Sequence, residues 1–215
     1  MVVCSVNLAV PQTVFYNQRP VETGIFKKAV SEPIFLGKDG VQNDNVMDTV
    51  RHGGAEKACY LYGYEKQYSF WKKQYPNLAW EYGMLGENIT LQELDEAAIN
   101  IGDVFQIGEA IIQVSQPRQP CYKLGIRFND PLMVAKFQQS PYPGIYVRVL
   151  QEGLVQPNDI MQLVTKCTDS LSVLEVFRAI YDPQTDVSKI HQIINLQHIP
   201  SKLKLYLQQK YITQS

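Results

Sequence analysis

The chain has no apolar run long enough to cross a bilayer, no closely spaced cysteine pair and no surplus of either charge. Each absence removes a class of function. Cysteines stand alone at positions 4, 59, 121 and 167, a spacing from which neither a zinc site nor a disulfide framework can be read. Iron–sulfur spacing and the glycine fingerprint of a dinucleotide fold are also missing, so any electrons must come from outside. Twenty basic residues against 21 acidic ones leave a net charge of −1, which argues against broad nucleic-acid binding but leaves room for a local basic pocket. The first ten residues are apolar but short and lack a basic n-region, so they read as a strand and not a signal peptide. No membrane association is expected, and the expected location is the cytoplasm.

What is present suffices for a folded core: 45% of the 215 residues are hydrophobic and 19% charged. Up to about residue 165, short β-like runs alternate with Gly, Pro, Asn and Asp, the pattern of a barrel or sandwich. Examples are 2–10, 99–107, 110–114, 144–150 and 159–164. From Ala55 to Gln74 the spacing of Ala58, Leu61, Tyr62, Glu65 and Tyr68 predicts a helix, and a short second one is expected over 131–138. After Lys166 the texture turns helical, with amphipathic stretches at 171–180, 187–196 and 201–211 and Asp169, Asp186 and Ser201 as expected N-caps.

The most informative segment is Gln116-Pro117-Arg118-Gln119-Pro120-Cys121-Tyr122-Lys123. Two prolines hold it as a stiff, extended loop at the end of a strand. Arg118 and Lys123 favour the thiolate of Cys121, the form that attacks electrophiles and binds soft metals. The residues alone leave open a functional Cys121 and a bland, half-exposed thiol. Other polar signatures are ambiguous singly. Gly24-Ile-Phe-Lys27-Lys28 could be a solvated strand end, and Arg51-His52-Gly53-Gly54 a plain turn or an anion-receptive helix start. Gly86-Glu87-Asn88-Ile-Thr90 could be a self-capped loop or a recognition loop.

In this order, together with Asp39 to Asp44, His52 to Ala58 and Gly102-Asp103, these segments resemble the MOSC domain, related to the C-terminal part of molybdenum cofactor sulfurase. The similarity is strongest to bacterial stand-alone YiiM-like proteins, in which a three-helix (3-alpha) domain follows. One departure is Leu85, where the family usually shows Phe. The resemblance implies a mainly β, α+β fold: a MOSC-type β-barrel with flanking helices over residues 1–166, then three helices over 167–215. It implies a molybdopterin-type cofactor with Cys121 as catalytic residue and thiolate ligand to molybdenum. Lys27, His52, Gly53, Gly54, Lys57, Asn88, Arg118 and Lys123 would hold the cofactor's phosphate and pterin.

The function so implied is reduction of N-hydroxylated compounds, such as N-hydroxylated purines, to amines. A separate flavoprotein or iron–sulfur reductase would supply the electrons. The alternative is sulfur transfer or cofactor carriage through a Cys121 persulfide or thiolate. DNA binding by the C-terminal helices is disfavoured, because five Lys/Arg against four Asp/Glu from Thr168 onward give no basic face. These helices are expected to dock on the barrel or on the electron donor, and His191 and His198 to pack rather than ligate.

Overall fold

Short apolar runs broken by turn residues become strands along the first three quarters of the chain, whose computed structural model describes residues 1–45 and 53–212. The strands are β1 (Val3–Ala9), β2 (Gln12–Tyr16), β3 (Arg19–Thr23), β4 (Lys27–Val30), β5 (Ile34–Gly37), β6 (Gly40–Val41), β7 (Cys59–Gly63), β8 (Ile89–Leu91), β9 (Val104–Ile107), β10 (Ala110–Pro117), β11 (Ile145–Gln151), β12 (Gly153–Val155) and β13 (Met161–Thr165). The α-helices are α1 (Ser69–Gln74), α2 (Tyr122–Phe128), α3 (Met133–Gln139), α4 (Val173–Tyr181), α5 (Val187–Ile194) and α6 (Ser201–Tyr211).

Eight strands form one mixed sheet in the order β13-β9-β10-β11-β7-β8-β1-β4, parallel only between β7 and β8. The α+β class agrees with expectation, but strand pairing does not close a barrel. The reason lies in β1. Residues Val6–Ala9 pair with β4 and Val3–Val6 with β8, so only the chain start remains for β13. There Val2, just before β1, forms an isolated bridge with Ile160, just before β13, and the Met161 amide donates to the Met1 carbonyl at 2.8 Å.

The helix expected over 55–74 forms only in its second half, from Tyr64 to Gln74, and is interrupted before that by strand β7. All five residues of β7 are buried, and β7 lies between β11 and β8. A strand covered on both faces is a continuous apolar run, which helical spacing can mimic. Flanking it are a single 3-10 turn at Ala55–Lys57 and a π turn at Tyr64–Tyr68 that leads into α1. Helix α3 falls within two residues of its expected bounds, while α2 begins directly after Cys121 in what reads as loop.

The three C-terminal helices form where the amphipathic pattern predicts. Asp186 caps α5 through the Ser188 amide at 3.1 Å. The cap of α4 is Ser172 and not Asp169: the Glu175 amide donates to the Ser172 hydroxyl at 3.2 Å, and the Ser172 amide to Glu175 Oε2 at 2.9 Å. This reciprocal box satisfies two helix-end donors, which Asp169 is too far upstream to do. Pro200 occupies the cap position of α6, and Ser201 is its first residue.

Val176, Ile180, Ile190 and Leu203 from these helices lie in one apolar cluster with Leu36, Leu61, Ile112 and Val147 of the strands. A second cluster is aromatic, with Trp71 stacked on Phe137 at 5.9 Å and Tyr60, Tyr62, Tyr68 and Phe177 around them. Among the described residues no helix is long and apolar enough to cross a membrane. Replacing Ser172 by Ala should destabilise the fold by about 1 kcal/mol, and Asp169→Ala by much less. Urea denaturation of the two variants measures the difference.

Candidate functional site

The sheet and the turn after β10 bring distant residues to one cleft. Its walls include Lys27 at the start of β4, Asp44 and Asn45 after β6, Lys57 in the 3-10 turn and Tyr60 on β7. Gly86 and Asn88 before β8, Tyr146 on β11, and Arg118, Cys121 and Lys123 complete it. Six of the sequence-derived candidates thus converge: Lys27, Lys57, Asn88, Arg118, Cys121 and Lys123. Gly53 and Gly54 are not part of the cleft's lining, although Gly54, at φ 81°, accepts the Lys57 amide and so shapes the turn that carries it. His52 lies outside the described residues.

Local chemistry explains each placement. Strand β10 shifts register between Val114 and Gln116, where the Ser115 hydroxyl lies within hydrogen-bond reach of the carbonyls of Glu56 and Tyr146. Such a bulge re-aims the residues beyond it, and here it ties the Lys57 turn to the Cys121 loop. Pro117 ends the strand, and Cys121, extended at φ −124° and ψ 168°, occupies the cap position of α2. Lys123 is therefore in a first helical turn and not in the loop. Arg148 on β11 joins Glu56 to the carbonyl of His198, so the segment before α6 braces the same rim.

The cations are not equivalent. Lys27 is buried and ion-paired with Asp44, which also accepts from the Ala9 amide and Asn88 Nδ2. Burial pushes the Lys27 ammonium below its usual range, against the pull of Asp44. Asn88 faces the cleft but is bonded at both ends, since its Oδ1 accepts from the Tyr60 amide at 3.2 Å. Lys57 is held down first by burial and then by Lys202 of α6, with Cys121 acting in the opposite sense. Arg118 is 5% exposed and donates to the Leu85 carbonyl. Burial opposes its charge, but Tyr60, Tyr146 and Cys121 more than compensate.

Two residues that sequence reasoning missed organise this charge. The Arg118 guanidinium lies 4.8 Å from the Tyr60 ring, Tyr60 is 5.0 Å from Tyr146, and Lys57 Nζ is 5.7 Å from the Tyr146 ring. Two neighbouring rings thus stand between two cations, each ring with a cation beside it. The pairing of β7 with β11 puts Tyr60 opposite Tyr146, which no local motif announces. Asp44 falls within a segment that the resemblance covers, with no role attached.

Cys121 is half-buried and lines the cleft, whereas Cys59 is buried and its thiol is pushed up by that burial. Among the described residues no three His, Cys, Asp or Glu side chains converge as a protein-only metal cage. One thiol among several cations instead fits a metal that arrives held by an anionic organic ligand of its own. The donor set therefore suits a molybdopterin-type group.

Known proteins resemble this chain in sequence and in fold. The MOSC domain profile matches residues 48–162, and the chain belongs to the MOSC domain family. It is 38% identical to "Uncharacterized protein YflK" of Bacillus subtilis (strain 168) over 193 residues, 90% of this chain and 86% of that one. The crystal structure of YiiM from Geobacillus stearothermophilus superposes with a TM-score of 0.79 at 30% identity, covering 96% of both chains. A protein named "Reductase" from Gibberella moniliformis (strain M3125 / FGSC 7600) is 29% identical over 163 residues, 74% of this chain but 29% of that longer protein.

One buried acid near the cleft should make stability depend on pH. Glu96 accepts from the Gly144 amide at 3.1 Å, two residues before Tyr146. Burial pushes its carboxyl from 4.5 up to about 7. Between those values the folded protein keeps a proton that the unfolded chain has lost, so stability falls as pH rises through this window. Relative to Glu96→Gln, the wild type should lose about 3 kcal/mol between pH 4.5 and 7, and little more above it. Urea melts of both proteins across that range test the sign.

Proposed function

We propose that this MOSC-domain protein binds a molybdopterin-type cofactor through Cys121 and reduces N-hydroxylated compounds to amines. The observation that carries the reading is the convergence of Cys121 with Lys57, Arg118 and Lys123 in one cleft walled by Tyr60 and Tyr146. The family's association with molybdenum cofactor and the likeness to a protein named a reductase support it. A preformed cleft beside the thiol favours an enzyme over a carrier, which needs no room for substrate.

The net reaction consumes two electrons and two protons, breaks the N–O bond and yields the amine and water. When bound, the cofactor supplies the redox-active metal that exchanges the oxygen and the electron pair. The protein's own groups do the rest. Cys121 would hold the metal through its sulfur, in a cleft that it shares with Arg118, Lys57 and Lys123. Arg118 and Lys123 would hold the phosphate end, Arg118 being pre-aimed by its bond to Leu85. Tyr60 and Tyr146 keep water from one wall. Lys57 Nζ, made more acidic by burial and by Lys202, would supply one of the two protons that the reaction consumes. Electrons come from an external flavoprotein or iron–sulfur reductase.

The test uses protein made in a cofactor-synthesising host, an N-hydroxylated purine and a small artificial reductant. Wild type should form the amine, and Cys121→Ala should form none while melting within a few degrees of wild type. Cys4→Ala and Cys167→Ala should remain active. Full activity in Cys121→Ala refutes the ligand role. A persulfide on Cys121 without amine formation selects sulfur transfer instead.

A further inference from the structure

Glu87 does not line the cleft, yet four donors converge on its fully buried carboxylate. Oε1 accepts from the Tyr68 hydroxyl, from the Gly83 amide at 3.0 Å and from Thr90 Oγ1 at 2.9 Å. Oε2 accepts from the Leu85 amide at 3.1 Å. These bonds fold residues 83–86 into a tight turn, closed by the Gly86 amide on the Gly83 carbonyl at 2.9 Å. The turn is pressed against two of the cleft's cations. A Cβ on Gly83 would fall 2.8 Å from the Lys27 carbonyl, and one on Gly86 would fall 3.6 Å from Arg118 Nη2. From the other side, Asn7 Nδ2 donates to the Glu87 carbonyl at 3.3 Å and to Thr90 Oγ1 at 3.1 Å.

The carbonyl of Leu85, whose amide Glu87 holds, is the one that receives the Arg118 guanidinium. We infer that Glu87 is a positioning residue: by anchoring the Leu85 amide it aims the Leu85 carbonyl at Arg118 and fixes the guanidinium beside Cys121. The inference rests on the reading of Arg118 as a cation that serves the cleft. Only a carboxylate can accept at both oxygens. In Glu87→Gln one end becomes an NH2 group. If Oε1 keeps its three donors, that group faces the Leu85 amide donor to donor, and the Leu85 anchor is the bond lost.

The field that Arg118 creates at Cys121 can be read in the cofactor-free, full-length protein by alkylation. Iodoacetate is an anion and iodoacetamide is neutral, so their rate ratio on the Cys121 peptide, measured by mass spectrometry, reports local positive potential. The ratio on Cys4, which lies outside the cleft, is the internal control. Arg118→Gln should lower the Cys121 ratio roughly threefold to tenfold. Glu87→Gln should lower it by a comparable factor, with the Cys4 ratio and the cooperative melt retained. A merely structural role for Glu87 would move the melting temperature and leave the Cys121 ratio alone.

An unchanged ratio in folded Glu87→Gln, alongside a fall in Arg118→Gln, overturns the inference while sparing Arg118. An unchanged ratio in Arg118→Gln overturns the reading of Arg118, and the inference with it. If Glu87→Gln does not fold, Glu87→Asp keeps the charge but draws the carboxylate back by one methylene from the Leu85 amide. It should then lower the ratio by a smaller factor, and an unchanged ratio there overturns the inference.

Discussion

A buried guanidinium must find its partners inside the protein, and a backbone carbonyl and two aromatic rings meet Arg118 there. The Leu85 carbonyl takes one donor, while the rings of Tyr60 and Phe137 lie 4.8 Å and 5.6 Å from its central carbon. Each partner brings its own element. Leu85 brings the turn that Glu87 organises, Tyr60 brings β7 with β11 beside it, and Phe137 brings α3 with the aromatic cluster behind it. The cleft beside Cys121 exists because these elements meet on one cation.

That cation also joins structure to chemistry. Lys27 is neutralised by Asp44, and Asn88 is bonded within the frame. Arg118, Lys57 and Lys123 line the cleft with the thiol, and the rings of Tyr60 and Tyr146 stand between Arg118 and Lys57. The C-terminal helices take part at a distance. Lys202 acts on Lys57, and the His198 carbonyl accepts from Arg148, which is paired with Glu56 next to Lys57. They bury their apolar faces in the sheet's own core while bracing the rim of the cleft.

Much of this was legible in the sequence wherever the signal was local. Pro117 and Pro120 bracket Arg118 and lead directly to Cys121, and the loop they imply stands at the end of β10. The amphipathic runs after Lys166 are helices for the same reason, and Ser172-Val-Leu-Glu175 carried a capping box that the nearer-looking Asp169 obscured. What was not legible depends on contacts between distant residues. Cys59 to Gly63 is buried on both faces, so its apolar spacing fitted a helix as readily as a central strand. The open sheet follows from which edge of β1 is already taken. Tyr60 and Tyr146 become one wall only through the β7–β11 register.

The central claim is that a cationic cleft with a single lining thiol holds a molybdenum-bearing pterin. Its most direct test is metal and pterin analysis of the full-length protein purified from a host that makes molybdenum cofactor, with Cys121→Ala alongside. The account predicts molybdenum and pterin in equal amounts, approaching one of each per wild-type chain, with molybdenum lost from the variant. Wild-type protein that carries no molybdenum after such expression, and takes up none when cofactor is added, would contradict it.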